Sequence, residues 1–313
     1  MEKWKILVTD GLEENGQAIL REHAEVDIKT GISADELIRT ASDYDAFIVR
    51  GRTKVTPAVF SAALKLKVVG RAGVGVDNID LAAARQHHVT VVNAPVATTV
   101  SVAELTMGLM LSMIREIPRA DASLKAGEWL KKEFEGSELF EKTLGVIGYG
   151  HIGAAVGIRA AAFGMTVLGY DSFIPPETIR KQGGQPVSLD ELFAKSDIIT
   201  IHVPLTPETR FLINESTINK MKTGVRIICD ARGGIINEDD LETALDSGKV
   251  ASAALDVFSN EPPGATPLVH HPRVVATPHI GAQTVEAQRR AAADIADEVL
   301  RALGDEPLTW KVA

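Results

Sequence analysis

Short β-type apolar runs alternate along this chain with helical stretches, and that rhythm predicts most of its elements. Strands are expected at residues 5–8, 26–28, 46–49, 66–69 and 89–92, with helices at 16–23, 34–41, 57–64 and 81–87 between them. Strands spaced by helical patterns predict a parallel, doubly wound sheet with helices on both faces. A loop over residues 93–99 leads into a long apolar helix at 100–117, expected to cross between domains. A further segment at 120–130 and a charged stretch at 131–141 follow. A second sheet begins at residue 144 and continues at 166–170, 198–203, 225–229, 250–255 and 274–276. Helical patterns lie at 189–195, 217–221 and 238–246, and a long amphipathic helix at 284–303 precedes a tail that is expected to return to the first domain. The fold class is therefore α/β, with two doubly wound parallel sheets.

The most informative stretch opens the second sheet. After the run 144–147, Gly148, Gly150 and Gly153 form G-x-G-x-x-G, a small-residue helix follows at 154–163, and Asp171 ends the next strand, 18 positions after Gly153. In such a turn the first Gly makes the bend, the second lets backbone approach a pyrophosphate, and the third lets helix and strand pack closely. The helix N-terminus offers unpaired N–H groups to phosphate. A carboxylate at the position of Asp171 suits a ribose 2′-OH and repels a 2′-phosphate, so the expected cofactor is NAD rather than NADP. A second glycine cluster at residues 71–77 has Gly73 and Gly75 but Asn78 at the third position, and it reads as a nest of N–H groups for a small anion.

Length and composition narrow the class. A chain of 313 residues suggests two domains. Lys and Arg number 33 against 42 Asp and Glu, a net charge of −9, and no basic tract stands out, which argues against nucleic acid as a partner. No apolar run approaches bilayer length, and the first residues lead straight into a strand, so a cytoplasmic, membrane-free protein without a signal segment is expected. Cys229 is the single cysteine, which excludes an intrachain disulfide and a thiolate metal cluster, and no metal is expected. It sits at the end of an apolar strand and reads as buried filler.

Chemistry is sought just past the strand ends of the second sheet. Arg232 follows one strand, Asp256 and Glu261 follow the next, and His279 follows the last. Each has a plain reading by itself: a surface arginine capping a helix, a solvated loop acid, a structural histidine. His202, inside an apolar run, reads as a satisfied core residue. Together the three form a set. Hydride transfer from an alcohol needs a base for the hydroxyl proton, and His suits that role near neutral pH. A neighbouring carboxylate orients the ring, and an arginine grips a substrate carboxylate and polarises its carbonyl.

Those segments, with residues 49–55, 70–80 and 103–106, occur in an order that resembles the D-isomer-specific 2-hydroxyacid dehydrogenase family over essentially the whole chain, and within it the phosphoglycerate branch. The resemblance implies a flavodoxin-like substrate domain from residues 1–98 and 284–313 around a Rossmann NAD-binding domain at 99–283. It implies Arg232, Glu261 and His279 as the catalytic set. Cofactor contacts would come from Gly148, Gly150, His151, Ile152, Gly153, Asp171, Val203, Asp230, Arg232, Asp256, His279, Gly281 and Ala282. Asp256 would hold the nicotinamide carboxamide. Arg50 and Arg71 would face a substrate phosphate, and backbone around Gly73, Val74 and Gly75 would hold its carboxylate. The implied partner is a small 2-hydroxyacid or 2-ketoacid, and the implied assembly is a homodimer or homotetramer. Departures from the branch are Leu130-Lys131-Lys132 after Trp129, Val96-Ala97-Thr98 in the loop before the long helix, and Val74. They keep glyoxylate, hydroxypyruvate and sulfolactate open as substrates. The chain ends at Ala313, so no regulatory extension is expected. A pyridine-nucleotide-sensing corepressor is the alternative from another class.

Overall fold

The structure, a computed structural model, describes residues 3–313, so the first two residues of the expected first domain lie outside it. Its contacts divide into two compact units, one reaching Thr98 and resuming at Ala282–Ala313, the other Thr99–Gly281.

In the first unit β1 (Trp4–Val8), α1 (Glu14–His23), β2 (Ala24–Ile28), α2 (Ala34–Thr40), β3 (Ala46–Val49), α3 (Pro57–Ala62), β4 (Val68–Arg71), α4 (Leu81–Gln86) and β5 (Thr90–Asn93) alternate. All five strands pair in parallel in the order β2-β1-β3-β4-β5, the flavodoxin-like arrangement. Strand side chains alternate between faces. Leu7, Phe47, Val69 and Val91 enter one core layer, and Ile6, Val8, Ile48, Val68 and Val92 enter the other. Each such fully buried aliphatic side chain contributes about 1.5–3 kcal/mol. Side chains start the helices: Ser33 accepts from Glu36 N–H and Asp80 from Ala83 N–H.

The second unit begins with α5 (Thr99–Ile114) and α6 (Ile117–Lys125). The helix expected to reach residue 117 stops at Ile114, because Glu116 turns left-handed at φ 51° and Pro118 cannot continue the ladder. Then come β6 (Thr143–Ile147), α7 (His151–Ala162), β7 (Thr166–Tyr170), α8 (Pro176–Lys181), β8 (Gln185–Pro186), α9 (Leu189–Lys195), β9 (Ile198–Ile201), α10 (Glu215–Asn219), β10 (Val225–Cys229), α11 (Glu238–Asp246), β11 (Val250–Leu255), α12 (Pro267–His270) and β12 (Val274–Ala276). The order β12-β11-β10-β9-β6-β7-β8 is the Rossmann order with one added strand. The helix after the glycine turn starts at His151, three residues before its apolar pattern, because His151, Ile152 and Gly153 of the fingerprint form its first turn, with Gly150 as N-cap.

The chain then returns to the first unit as α13 (Val285–Leu303). Ala291, Ala292, Ile295, Ala296, Val299 and Leu303 form its buried stripe. Gly16 of α1 meets it so closely that an added Cβ would lie 2.5 Å from Ala292 O. The tail runs back to β5, where Val312 N–H donates to Val91 O at 2.8 Å and Asn93 N–H to Trp310 O at 3.2 Å. Among the described residues, no helix is long and apolar enough to cross a membrane.

Candidate active site

The order in which strands are added to the seven-stranded sheet reverses between the parallel neighbours β6 and β9, and ligands of open α/β sheets bind outside the carboxyl ends of strands at such a point. The glycine turn lies there. Gly148 has φ +90°, and a Cβ on it would meet His202 O at 2.6 Å. A Cβ on Gly153 would lie 2.0 Å from Gly148 O, so only glycine lets α7 close on the turn. A Cβ on Gly150 would meet nothing within 4 Å, so that side of the turn is open to an approaching phosphate. His151 and Ile152 begin α7, whose first N–H groups lack intrahelical partners by position. Val203 packs its Cγ1 beside Gly148. The three glycines therefore fit a dinucleotide.

Asp171 stands beside this turn. Its carboxylate accepts from Tyr149 N–H at 2.7 Å, Phe173 N–H at 2.8 Å and Ile174 N–H at 3.0 Å. It ties the glycine turn to the end of β7 and remains partly exposed, with room for a further donor.

Beyond β9 and β10 the chain places His202 and Asp230 side by side, in register with the Ile201–Cys229 pair. Both side chains are buried, at 1% and 0% exposure, with His202 Nδ1 3.3 Å from Asp230 Oδ1. His202 Nε2 lies 2.9 Å from Thr200 Oγ1, and Asp230 Oδ2 contacts the Thr106 hydroxyl of α5. The Asp230 carboxylate is thus turned into the unit. Arg232, two residues on, is half-buried and donates to Ala231 O at 2.7 Å. Gly233 packs on the main chain of Phe258, where a Cβ would lie 1.8 Å from Phe258 O. Burial pushes the Cys229 thiol up to about 12, so it stays protonated and inert.

After β11 and β12 two loops meet. Asp256 is fully buried and brackets the second loop: it accepts from Thr277 Oγ1 at 2.5 Å and from Ile280 and Gly281 N–H, each at 2.8 Å. Burial pushes its carboxyl up, against the lowering effect of those three bonds and of the His279 charge. Gly281 O in turn accepts from Ser101 Oγ at 2.6 Å. Between these anchors His279 adopts φ +53°, a left-handed conformation for a residue with a Cβ. The turn aims its ring at Glu261, and Nδ1 lies 2.7 Å from Glu261 Oε2. The other carboxylate oxygen of Glu261 accepts from Phe258 N–H at 3.2 Å. His279 and Glu261 are 45% and 38% exposed at the side chain, which leaves Nε2 within reach of a ligand. Ala282 begins the returning segment and accepts from Gln288 through its carbonyl at 2.7 Å.

In the first unit Arg50 and Arg71 stand at the carboxyl ends of β3 and β4, with Gly73, Val74 and Gly75 just beyond. The Arg71 guanidinium lies over Gly73, where a Cβ would meet its Nη1 at 1.6 Å. Asn93 Nδ2 donates to Val74 O at 2.6 Å and shapes the loop. Two residues absent from the sequence-based set organise this end. Asp10, just past β1, accepts from Arg50 N–H at 2.8 Å, from Thr53 N–H at 3.0 Å and from Thr53 Oγ1 at 2.6 Å, and pairs with Arg52 at 3.4 Å. Asn78 donates to Arg50 O at 2.9 Å and to Thr53 O at 2.6 Å. The strand-end rule, applied to the first sheet as well as the second, selects Asp10.

Residues 107–281 match the family model described as the D-isomer specific 2-hydroxyacid dehydrogenase, NAD binding domain. Among curated relatives, D-3-phosphoglycerate dehydrogenase of Methanocaldococcus jannaschii is 52% identical over 303 residues, covering 96% of this chain and 58% of that protein. The Bacillus subtilis enzyme of the same name is 47% identical over 300 residues, 95% of this chain and 57% of that protein. The chain therefore spans a little over half the length of these relatives. A solved glyoxylate reductase from Paecilomyes thermophila superposes with a TM-score of 0.92 at 31% identity, over 100% of this chain and 99% of that one. Two parallel sheets in these strand orders, the glycine turn and the family match over more than half its length place the chain in the D-isomer specific 2-hydroxyacid dehydrogenase family, with residues 107–281 as its NAD-binding domain.

Proposed function

We propose that this protein is an NAD-dependent oxidoreductase that interconverts a D-2-hydroxyacid and its 2-ketoacid, and that its substrate pair is 3-phosphoglycerate and 3-phosphohydroxypyruvate. The observation that carries the chemistry is the 2.7 Å contact between His279 Nδ1 and Glu261 Oε2, on a left-handed turn bracketed by buried Asp256. A carboxylate on Nδ1 fixes the ring, so Nε2 is the atom that exchanges a proton with substrate.

Bound NAD(H) supplies or accepts the hydride. In reduction, His279 Nε2 gives its proton to the forming hydroxyl, and in oxidation it takes that proton back. The planar fork of Arg232 grips the substrate carboxylate and polarises the keto oxygen as negative charge develops on it. Gly150, His151 and Ile152 receive the pyrophosphate, and Asp171 receives the ribose. Residues 99–283 form the nucleotide domain in this reading, and residues 1–98 with 284–313 form the substrate domain. Arg50 and Arg71 contact the substrate phosphate, with Gly73, Val74 and Gly75 at its carboxylate. Support for that substrate comes from relatives at 47–52% identity named D-3-phosphoglycerate dehydrogenase. The assignment places the protein in serine biosynthesis, in the cytoplasm, as a homodimer or homotetramer.

Turnover of a panel of 2-ketoacids with NADH tests the proposal. Preferential reduction of phosphohydroxypyruvate supports it. Preference for glyoxylate or hydroxypyruvate keeps the chemistry and removes the phosphate site, and NADH binding with no turnover points to a sensor.

A further inference from the structure

Tyr149 stands between Gly148 and Gly150 in the glycine turn, yet its side chain is fully buried. Its backbone and its ring serve different partners. The Tyr149 N–H donates to Asp171 at 2.7 Å, and the Gly148 N–H beside it donates to Tyr170 O at 2.8 Å, so the turn is tied to the end of β7. The ring belongs to the core layer that holds Val156 of α7, Val167 of β7 and Ile179 of α8.

Three glycines make room for that ring. A Cβ on Gly157 of α7 would lie 2.6 Å from Tyr149 Oη, one on Gly169 of β7 would lie 2.6 Å from Cδ2, and one on Gly184, just before β8, would lie 2.6 Å from Cζ. None of the three has a positive φ, so space rather than backbone conformation requires glycine there. Glycine inside a helix or a strand weakens the element, so the socket is built at a cost to α7 and β7. The hydroxyl does not account for it. It is buried without a hydrogen-bond partner among the described residues, and burial pushes its pKa up, so it stays protonated. An unmade buried hydrogen bond opposes folding, so the socket selects the ring and not the O–H.

We infer that Tyr149 is a positioning residue for the cofactor: its ring, seated on α7, β7 and the approach to β8, fixes the glycine turn and the first N–H groups of α7 in the pose that receives a pyrophosphate. The inference rests on the reading of that turn as the pyrophosphate site. Tyr149 acts through the main chain, since its side chain is turned into the core. The same residue holds Asp171, so one anchor sets the phosphate-binding and ribose-binding groups together. Groups held in their bound pose beforehand bind more tightly, and a displacement of about 1 Å costs on the order of 100-fold.

The test compares Tyr149→Phe, Tyr149→Leu and Gly184→Ala with the wild type. Three readouts are taken well below the Tm of every variant: NADH affinity by fluorescence titration, ketoacid KM at saturating NADH, and Tm itself from a separate melt. Tyr149→Phe keeps the ring and drops the unbonded hydroxyl, so NADH affinity should stay within about twofold of wild type and Tm should not fall. Tyr149→Leu leaves the socket part empty. Gly184→Ala presses a methyl group on the ring from a residue that has no part in the proposed cofactor contacts. Each of these two should raise the NADH Kd about tenfold, with ketoacid KM changed less than about twofold. A lower Tm with an unchanged NADH Kd overturns the inference, since it marks a core residue and nothing more. So does a Tyr149→Phe variant that binds NADH as weakly as Tyr149→Leu, because the hydroxyl and not the ring would then matter. Parallel losses of NADH and ketoacid affinity mark general loosening and overturn it too. If Tyr149→Leu does not fold, Tyr149→Phe and Gly184→Ala still decide. Wild-type NADH binding checks the underlying reading separately: its absence sinks the cofactor site, whereas normal wild-type binding with unchanged variants sinks only the role of Tyr149.

Discussion

His279 holds a backbone conformation that its Cβ disfavours, and the strain is countered from one side by a single buried carboxylate. Asp256 grips the N–H groups of Ile280 and Gly281 and the hydroxyl of Thr277, so the ring between them has a fixed origin. Replacing His279 with Ala should lower ketoacid reduction by roughly 100- to 10,000-fold, the usual share of a general acid, while NADH affinity stays within about twofold. Loss of NADH binding in a folded variant would contradict that role. Asp171 carries a second prediction with two parts. Asp171→Ala should relax the preference for NAD over NADP, read as a ratio of kcat/KM values. It should also lower stability by about 1–3 kcal/mol, because three backbone N–H groups lose their acceptor. A variant as stable as wild type with an unchanged cofactor ratio would contradict both. A ribose role for Asp171 was proposed from its distance to Gly153, but its hold on the surrounding backbone was not legible. No spacing rule reveals that Tyr149, Phe173 and Ile174 all turn their N–H groups toward it.

At the scale of elements, the turn after β3 depends on Asp10. Burial pushes the Asp10 carboxyl up, but bonds from Thr53 and from Arg50 N–H and the charge of Arg52 outweigh it and hold the group below its usual value. A lowered folded value means the ionised form contributes stability above the unfolded value of about 4, and that the contribution is lost as pH falls through the folded value. Asp10→Asn should therefore be less stable than wild type at neutral pH, with the gap in Tm closing as pH drops below about 4. A gap independent of pH would show that the charge is immaterial. The packing of α1 on α13 gives another test. Gly16→Ala drives a methyl group into Ala292 O and should cost about 1–3 kcal/mol, read as a drop in Tm, and a neutral effect would contradict the close approach. Most elements were legible because apolar runs of period two and helical stripes are local signals. The exceptions have local reasons as well. The strand Gln185–Pro186 is two residues long, and α12 is a single turn, too short for any period to show. The early stop of α5 comes from the Glu116 backbone, which hydropathy does not register.

For the whole molecule, two doubly wound parallel sheets were legible from the alternation of strands and helices, whereas the flavodoxin-like and Rossmann arrangements came with the family resemblance. The amphipathic stripe of α13 was legible as a helix, and its assignment to the first domain came with the family resemblance. How the tail closes was not legible: Glu298, 2% exposed, accepts Thr309 N–H at 3.0 Å and Trp310 N–H at 3.0 Å and so directs the tail onto β5. The grouping of Arg50, Asp10 and Asn78 arises because parallel strands bring distant residues to one sheet edge, which a reading of local windows misses. The measurement that bears most directly on function is NADH oxidation by the purified protein against phosphohydroxypyruvate, hydroxypyruvate, glyoxylate, pyruvate and sulfopyruvate. A kcat/KM for phosphohydroxypyruvate about 100-fold or more above the others is the predicted result, and Arg50→Ala should then raise KM for it more than for hydroxypyruvate. Equal or lower kcat/KM for phosphohydroxypyruvate would contradict the phosphate site, and no turnover of any ketoacid would contradict the catalytic role of the Arg232, Glu261 and His279 set.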